Sequence, residues 1–221
     1  MTERRLRRIE EVLSRRQPDL TVVMENVNKA HNLAAIARSC DAVGVGEIHA
    51  VSGSPRVALA HKVASGASRW VRIRRQASIL EACDMLKQRG FQILAAHLDD
   101  SAVDYREIDY TRPTALLVGA ELFGVSELAR SQADRHIVIP MLGMVQSLNV
   151  SVATALVLFE AQHQRLAAGC YDRPRLSPEE YQRLLEEWTS PAPEPESLPE
   201  GRISHQAREV PEQFRDAGLG D

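Results

Sequence analysis

Ile139-Pro140-Met141-Leu142-Gly143-Met144-Val145-Gln146-Ser147-Leu148-Asn149-Val150-Ser151-Val152-Ala153 carries more structural information than any other stretch of this chain. It scans as the end of a strand, a turn through Gly143 and the start of an apolar helix capped by Ser147. An ordinary helix start needs one capping residue. Here Ser147, Asn149 and Ser151 crowd the first turn of an otherwise apolar helix. They either satisfy the free N–H groups of that start or hold a ligand against it. Met141, Leu142, Met144 and Leu148 are expected to supply an apolar wall for something flat.

Working outward, 136–139 reads as the strand that feeds this turn, and 147–168 as the helix that leaves it, stopped at Gly169. Upstream, β-branched or apolar runs at 21–27, 47–51, 70–74, 91–98 and 115–119 read as strands. Between them, 31–43 reads as a helix closed by Gly44, and Ser78-Ile79-Leu80-Glu81 is a capping box opening a helix through Lys87. Residues 126–132 form a short helix, and 53–69 stay ambiguous. Strands alternate with helices and several strands are apolar on both faces, so the fold class is α/β: a mainly parallel sheet flanked by helices. Ligands of such sheets collect beyond the C-terminal strand ends, where Gly119-Ala120-Glu121 and Met141-Leu142-Gly143 fall.

The composition narrows the function. The hydrophobic fraction of 44% suits a globular chain, and no apolar run approaches the ~20 residues of a membrane span. Cys40, Cys83 and Cys170 are too scattered for a metal knuckle or a redox pair, and no histidine pair has metal spacing. No metal is expected, and a cytoplasmic location is. The net charge of −3 conceals an asymmetry: residues 172–221 hold twelve acids against six Lys/Arg, whereas 1–171 hold eighteen against twenty-one. The folded part is mildly basic and the tail acidic. Residues 2–16 read as a helix with Leu6, Ile9, Val12 and Leu13 on one stripe and six arginines elsewhere: Arg4, Arg5, Arg7, Arg8, Arg15 and Arg16. Arg69, Arg72, Arg74 and Arg75 make a second cluster. A charge run is usually a solvated face, but Glu3, Glu10 and Glu11 offset only half of the first one. Both clusters suit nucleic-acid phosphates. With four Phe and four Tyr, base stacking on an aromatic platform is not the expected mode. A segment at 176–188 reads as a further helix before the proline and acid run that begins at Ser190.

Three blocks, Asn32-Leu33-Ala34-Ala35-Ile36-Ala37-Arg38, Gly119-Ala120-Glu121-Leu122-Phe123-Gly124 and the segment quoted first, match in order and spacing a known pattern. Over residues 1–170 the chain resembles the SPOUT superfamily of RNA methyltransferases, in particular those acting on the ribose of guanosine 18 in tRNA. The resemblance implies a deep trefoil knot in the C-terminal part, S-adenosylmethionine as cofactor, tRNA as partner and a homodimer. It divides the chain into a basic tRNA-binding helix (1–17), a catalytic domain (18–170) and a C-terminal helix with an acidic tail (171–221). The alternatives are an enzyme acting on ribosomal RNA and a catalytically silent RNA-binding module of the same fold.

Alone, Asn32 is a cap and Arg38 a partner of Asp41. The resemblance instead makes Arg38 the catalytic arginine and Asn32 the residue that positions it. Because a guanidinium stays protonated in proteins, the expected role of Arg38 is electrostatic: holding the phosphate and the developing alkoxide. Glu121, on its own a helix-dipole partner, is placed by the resemblance at the cofactor site. The same comparison puts Ala96, Gly119, Ile139, Met141 and Leu148 around the adenosine, and Ser147 and Asn149 near the transferred methyl. Ser147 reads equally as a plain N-cap. Arg4, Arg5, Arg8, Arg15 and His31 are the candidate RNA contacts, His31 being as readily a solvated loop residue. The face of Val150, Ala153, Leu156 and Val157 suits either a dimer interface or core burial.

Overall fold

Strands that alternate apolar side chains on both faces must be covered twice, and the computed structural model shows that arrangement. It describes residues 1–51, 69–120 and 124–190. The ambiguous stretch up to residue 68, Glu121 and the tail from residue 191 lie outside the described residues. The elements run α1 (Glu3–Ser14), β1 (Leu20–Glu25), α2 (Ala30–Ala42), β2 (Glu47–Val51), β3 (Arg72–Gln76), α3 (Ile79–Gln88), β4 (Gln92–Ala96), β5 (Val103–Asp104), β6 (Thr114–Val118), α4 (Glu127–Ser131), β7 (Arg135–Val138), α5 (Val150–Ala167) and α6 (Pro178–Thr189). Among the described residues the strands form one sheet in the order β3-β2-β1-β6-β4-β7-β5, with every pairing parallel. Chain order and spatial order part company in the second half. β6 inserts between β1 and β4, and β7 between β4 and β5.

Both faces of the central strands are buried. Val22, Met24, Leu116 and Val118 point into one cluster with Leu33, Ile36 and Cys40 of α2 and Val157, Leu158 and Ala161 of α5. Their neighbours Val23, Ala115 and Leu117 point the other way, against Ile79, Ala82, Cys83 and Leu86 of α3 and Ala129 of α4. This period of two is what gives strands apolar on every residue. A third cluster joins α1 to α6 through Ile9, Leu13 and Trp188. Ser78 caps α3 as the sequence suggests, its hydroxyl accepting from Glu81 N at 3.1 Å, and Gly44 closes α2 at φ 87°.

Three sequence expectations are corrected. The cap of α5 is Asn149, not Ser147: Asn149 Oδ1 accepts from Ser151 N at 2.8 Å and from Ser151 Oγ at 2.6 Å, so the helix opens at Val150. The strand expected at 70–74 begins at Arg72, where Arg72 N bonds Gly46 O; the Trp70 carbonyl is taken by the Arg16 guanidinium at 3.0 Å. Arg16 itself is no surface group. It is 1% exposed, paired with Asp41 at 2.7 Å and stacked under Trp188.

Arg165 of α5 is also fully buried and uses all five guanidinium donors. They reach Tyr110 O, Gln17 Oε1, Asp19 Oδ1, Asp19 O and Arg112 O, tying the helix to the entries of β1 and β6. Removing one partner of such a network strands the others. Arg165→Leu is expected to lower unfolding free energy by about 3–5 kcal/mol, read as a shift of the urea midpoint at constant slope. A loss below about 1 kcal/mol would deny the network that role.

Candidate active site

At the C-terminal edge of the sheet the chain makes its sharpest turns. β1 ends at Glu25, and Asn26 takes φ 55°, a left-handed conformation that asparagine tolerates. The buried Glu25 carboxylate accepts from Ser126 N at 2.8 Å and Ser126 Oγ at 2.7 Å. That double bond pins the start of α4, and with it the chain leaving β6, against β1. On the same edge Gly124 N bonds Ala120 O at 2.7 Å, with Gly124 at φ 63°. A Cβ on Gly119 would overlap the Gly124 carbonyl and Val125 N. Only glycine permits that approach.

The segments after β4, β6 and β7 converge there on a cleft of about 200 Å3, closed on its far side by the start of α5. Ala96, Gly119, Ile139, Met141 and Leu148, the five residues expected around an adenosine, all line it. Ser147 lies on its wall. Of the expected apolar wall, only Met141 and Leu148 take part: Leu142 and Met144 are 102% and 98% exposed. A second cleft, of about 550 Å3, adjoins the first at Ala120, Gly124 and Val150 and is lined by Glu25, Asn28, Lys29 and Asn32. Asn32, 2% exposed, links the two halves: its Oδ1 accepts from Asn149 Nδ2 at 3.2 Å. Since Asn149 Oδ1 is committed to the α5 cap, its amide nitrogen must face Asn32. Asn32 and Asn149, far apart in sequence, thus form one polar unit at the junction of the clefts.

Other expected site residues lie elsewhere. Arg38 is exposed on α2 and lines neither cleft of its own chain. Arg4, Arg5, Arg8, Arg15 and His31 are exposed, Arg8 and Arg15 both pairing with Glu11. The face expected on α5 divides. Val157 is buried in the core and Val150 packs against it, while the exposed apolar stripe is Val152, Leu156, Phe159 and Leu166. Among the described residues no group of three His, Cys, Asp or Glu could hold a metal ion, and no helix is long and apolar enough to cross a membrane.

The sequence reading missed His97, which lines the first cleft. Arg130 Nη1 donates to its Nε2 at 2.8 Å, and its ring meets His136 edge-on at 5.8 Å. His136 in turn bonds Asp99. Burial first, then the Arg130 charge, pushes the His97 pKa below its usual value. The ring is therefore neutral at pH 7, with Nε2 accepting and the proton on Nδ1. A lone histidine after an apolar strand offers no signal from which this could be read.

The model of the SpoU rRNA Methylase family matches residues 19–159, and that of the SpoU rRNA methylase C-terminal part matches 163–193. The chain belongs to the SpoU rRNA methylase family. The C-terminal match extends past residue 170, where the resemblance read from sequence stopped. A tRNA (guanosine(18)-2'-O)-methyltransferase from Thermus thermophilus is 60% identical over 187 residues, covering 85% of this chain and 96% of that one. The crystal structure of the Aquifex aeolicus TrmH/SpoU tRNA modifying enzyme superposes with a TM-score of 0.78 at 48% identity, covering 84% of this chain and 95% of that one. The family member AviRb from Streptomyces viridochromogenes, solved in complex with the cofactor AdoMet, gives a TM-score of 0.61 at 26% identity, covering 71% of this chain and 62% of that one.

Proposed function

We propose that this chain transfers a methyl group from S-adenosylmethionine to the ribose 2'-hydroxyl of guanosine 18 in the D-loop of tRNA. The observation that carries the reading is the pair of adjoining clefts: one lined by Ala96, Gly119, Ile139, Met141 and Leu148, the other reaching Asn32. The first suits the donor. Small residues at 96, 119 and 120 leave room on its wall, and Ile139 and Leu148 provide apolar surface for a flat base. When bound, the donor supplies an electrophilic methyl on sulfonium. Asn32 and Asn149 hold the junction rigid and present amide groups to the incoming ribose, and Ser147 lies on the donor side.

Arg38 acts from a partner copy. Its exposure and its absence from the lining of its own clefts support this, as does the exposed stripe of Val152, Leu156, Phe159 and Leu166, an apolar face suited to a twin helix. Glu121 belongs with this machinery on the resemblance alone. The convergence of the segments after β4, β6 and β7 supports a trefoil knot through the C-terminal strands. The basic helix at 1–17 meets tRNA through Arg4, Arg5, Arg8 and Arg15, with His31 at the rim. The catalytic part is 18–170, followed by the C-terminal segment 171–221.

The direct test incubates the protein with methyl-labelled S-adenosylmethionine and unmodified tRNA, and maps the label by nuclease digestion. The expected result is label on the ribose of guanosine 18. Label confined to another nucleotide, or incorporated into ribosomal RNA fragments in place of tRNA, would overturn the reading.

A further inference from the structure

A second cavity lies at the opposite, N-terminal end of the sheet. It holds about 250 Å3 between the first residues of β1 and β2, Phe91 just before β4, and the C-terminal helix α6. Its composition departs from the rule that buried strands are apolar on both faces. Period two puts Glu47 and His49 of β2, and Arg72 and Arg74 of β3, on one side of the sheet. Thr21, His49 and Arg16 there are 4%, 1% and 1% exposed.

The lining is net positive, with Arg16, Arg72, Arg74, Arg89 and Arg183 set against Glu47 and Glu180. Arg16 uses its terminal nitrogens on Asp41, Val45 O and Trp70 O, but its buried Nε has no hydrogen-bond partner. Gln76 Nε2 donates to His49 Nδ1 at 3.0 Å, so the neutral ring carries its proton on Nε2, whose nearest carboxylate oxygen, on Glu47, lies at 4.0 Å, beyond bonding distance. Burial, opposed by Glu47 and reinforced by Arg74 and Arg89, pulls the His49 pKa down to about 4 and keeps the ring neutral. At the mouth, Arg74 pairs with Glu47 at 2.9 Å, Arg183 with Glu187 at 3.1 Å and with Glu180 at 3.9 Å, and Arg72 with Glu187 at 3.8 Å. Apart from the half-buried Glu47 these side chains are solvent-exposed, and such pairs are weak enough to exchange for a stronger anion. Among the described residues Arg89 makes no ion pair; it lies over the Phe91 ring at 5.2 Å. Leu20, Phe91, Leu176 and Leu184 supply the apolar part of the wall.

A net positive lining with the Arg16 Nε and His49 Nε2 donors left unpaired, beside an apolar wall, fits a ligand that is half anion, half flat hydrophobe. We propose that this cavity binds a nucleotide-sized organic phosphate, its phosphate held by Arg74 and Arg89 above the Arg16 Nε and its nucleoside lodged against Phe91, Leu176 and Leu184. Guanidinium groups suit the phosphate through paired, charge-assisted hydrogen bonds. The site is separate from the donor cleft, which lies at the other end of the strands. The phosphate comes either from a free nucleotide or from one residue of a bound RNA strand.

The experiment titrates guanosine 5'-monophosphate into the full-length protein by calorimetry, once with S-adenosylmethionine saturating the donor cleft and once without it. Failure of the methyl-transfer reading therefore leaves this measurement intact. Saturable binding in both titrations is expected, with guanosine lacking the phosphate binding at least about tenfold more weakly. Arg74→Gln and Arg89→Gln alter exposed side chains, so both variants should keep the wild-type melting temperature while each weakens nucleotide binding about tenfold. Displacement of the nucleotide by tRNA assigns the phosphate to an RNA strand; persistence beside bound tRNA assigns it to a free nucleotide. Absence of saturable binding, or affinity in both variants equal to wild type, would overturn the proposal.

Discussion

Gly119→Ala is expected to weaken S-adenosylmethionine binding about 100-fold while leaving the fold intact. The added methyl has no free direction: it meets the Gly124 carbonyl and the Val125 amide, both backbone atoms that cannot rotate aside. The turn must open, and opening it works against the Gly124 N to Ala120 O bond and the double anchor of Ser126 on Glu25. A strain of roughly 3 kcal/mol at the cleft wall corresponds to about 100-fold weaker binding. Gly143→Ala is the matched control. Nothing lies within 4 Å of the Cβ it would acquire, and affinity should match wild type. Calorimetric titration of S-adenosylmethionine separates the two variants, with circular dichroism confirming that both are folded. Affinity within about threefold of wild type for Gly119→Ala would mean that the donor does not press on this turn.

How much of this could be read from the chain alone divides along a physical line. Features fixed by local chemistry were legible: the burial of β1 and β6 on both faces, the Ser78 cap, the glycine that closes α2. So was the list of residues that share the first cleft, because the motif match placed them together. What failed depended on long-range competition. Ser147 is as good a cap as Asn149 by residue type, and the choice falls to Asn149 because its amide also reaches Asn32, 117 positions away in sequence. Arg16 looks like one more arginine of a basic helix. Its burial depends on Trp188 and Asp41, which no local pattern connects to it. The strand order is likewise invisible to periodicity, which gives each strand its faces but not its neighbours. His97 needed Arg130 beside it before it meant anything.

Arg38→Ala is expected to retain S-adenosylmethionine binding and lose nearly all transfer to tRNA, with kcat falling about 10^3-fold or more, since one preorganised donor to a developing oxyanion is worth about 10^2–10^3 and the phosphate contact adds to it. Cofactor affinity should not move, because Arg38 lines neither cleft of its own chain and its proposed role is toward the RNA phosphate and the developing alkoxide, not the donor. That same position makes a sharper test possible. If Arg38 serves the donor cleft of a partner copy, a mixed dimer of Arg38→Ala and Gly119→Ala contains one complete site: the intact cleft of the first chain facing the intact arginine of the second. If Arg38 serves its own chain, neither half of that dimer is complete. Co-refolding equal amounts of the two inactive variants should therefore restore roughly a quarter of wild-type turnover, as random pairing makes half the dimers mixed and each carries one working site of two. Sedimentation should show the mixture to be dimeric. No recovery from a verified mixed dimer would place Arg38 on its own cofactor and would require α2 to move when RNA binds. Wild-type turnover by Arg38→Ala alone would remove the guanidinium from the chemistry altogether, leaving the Asn32–Asn149 pair as the polar centre of the site.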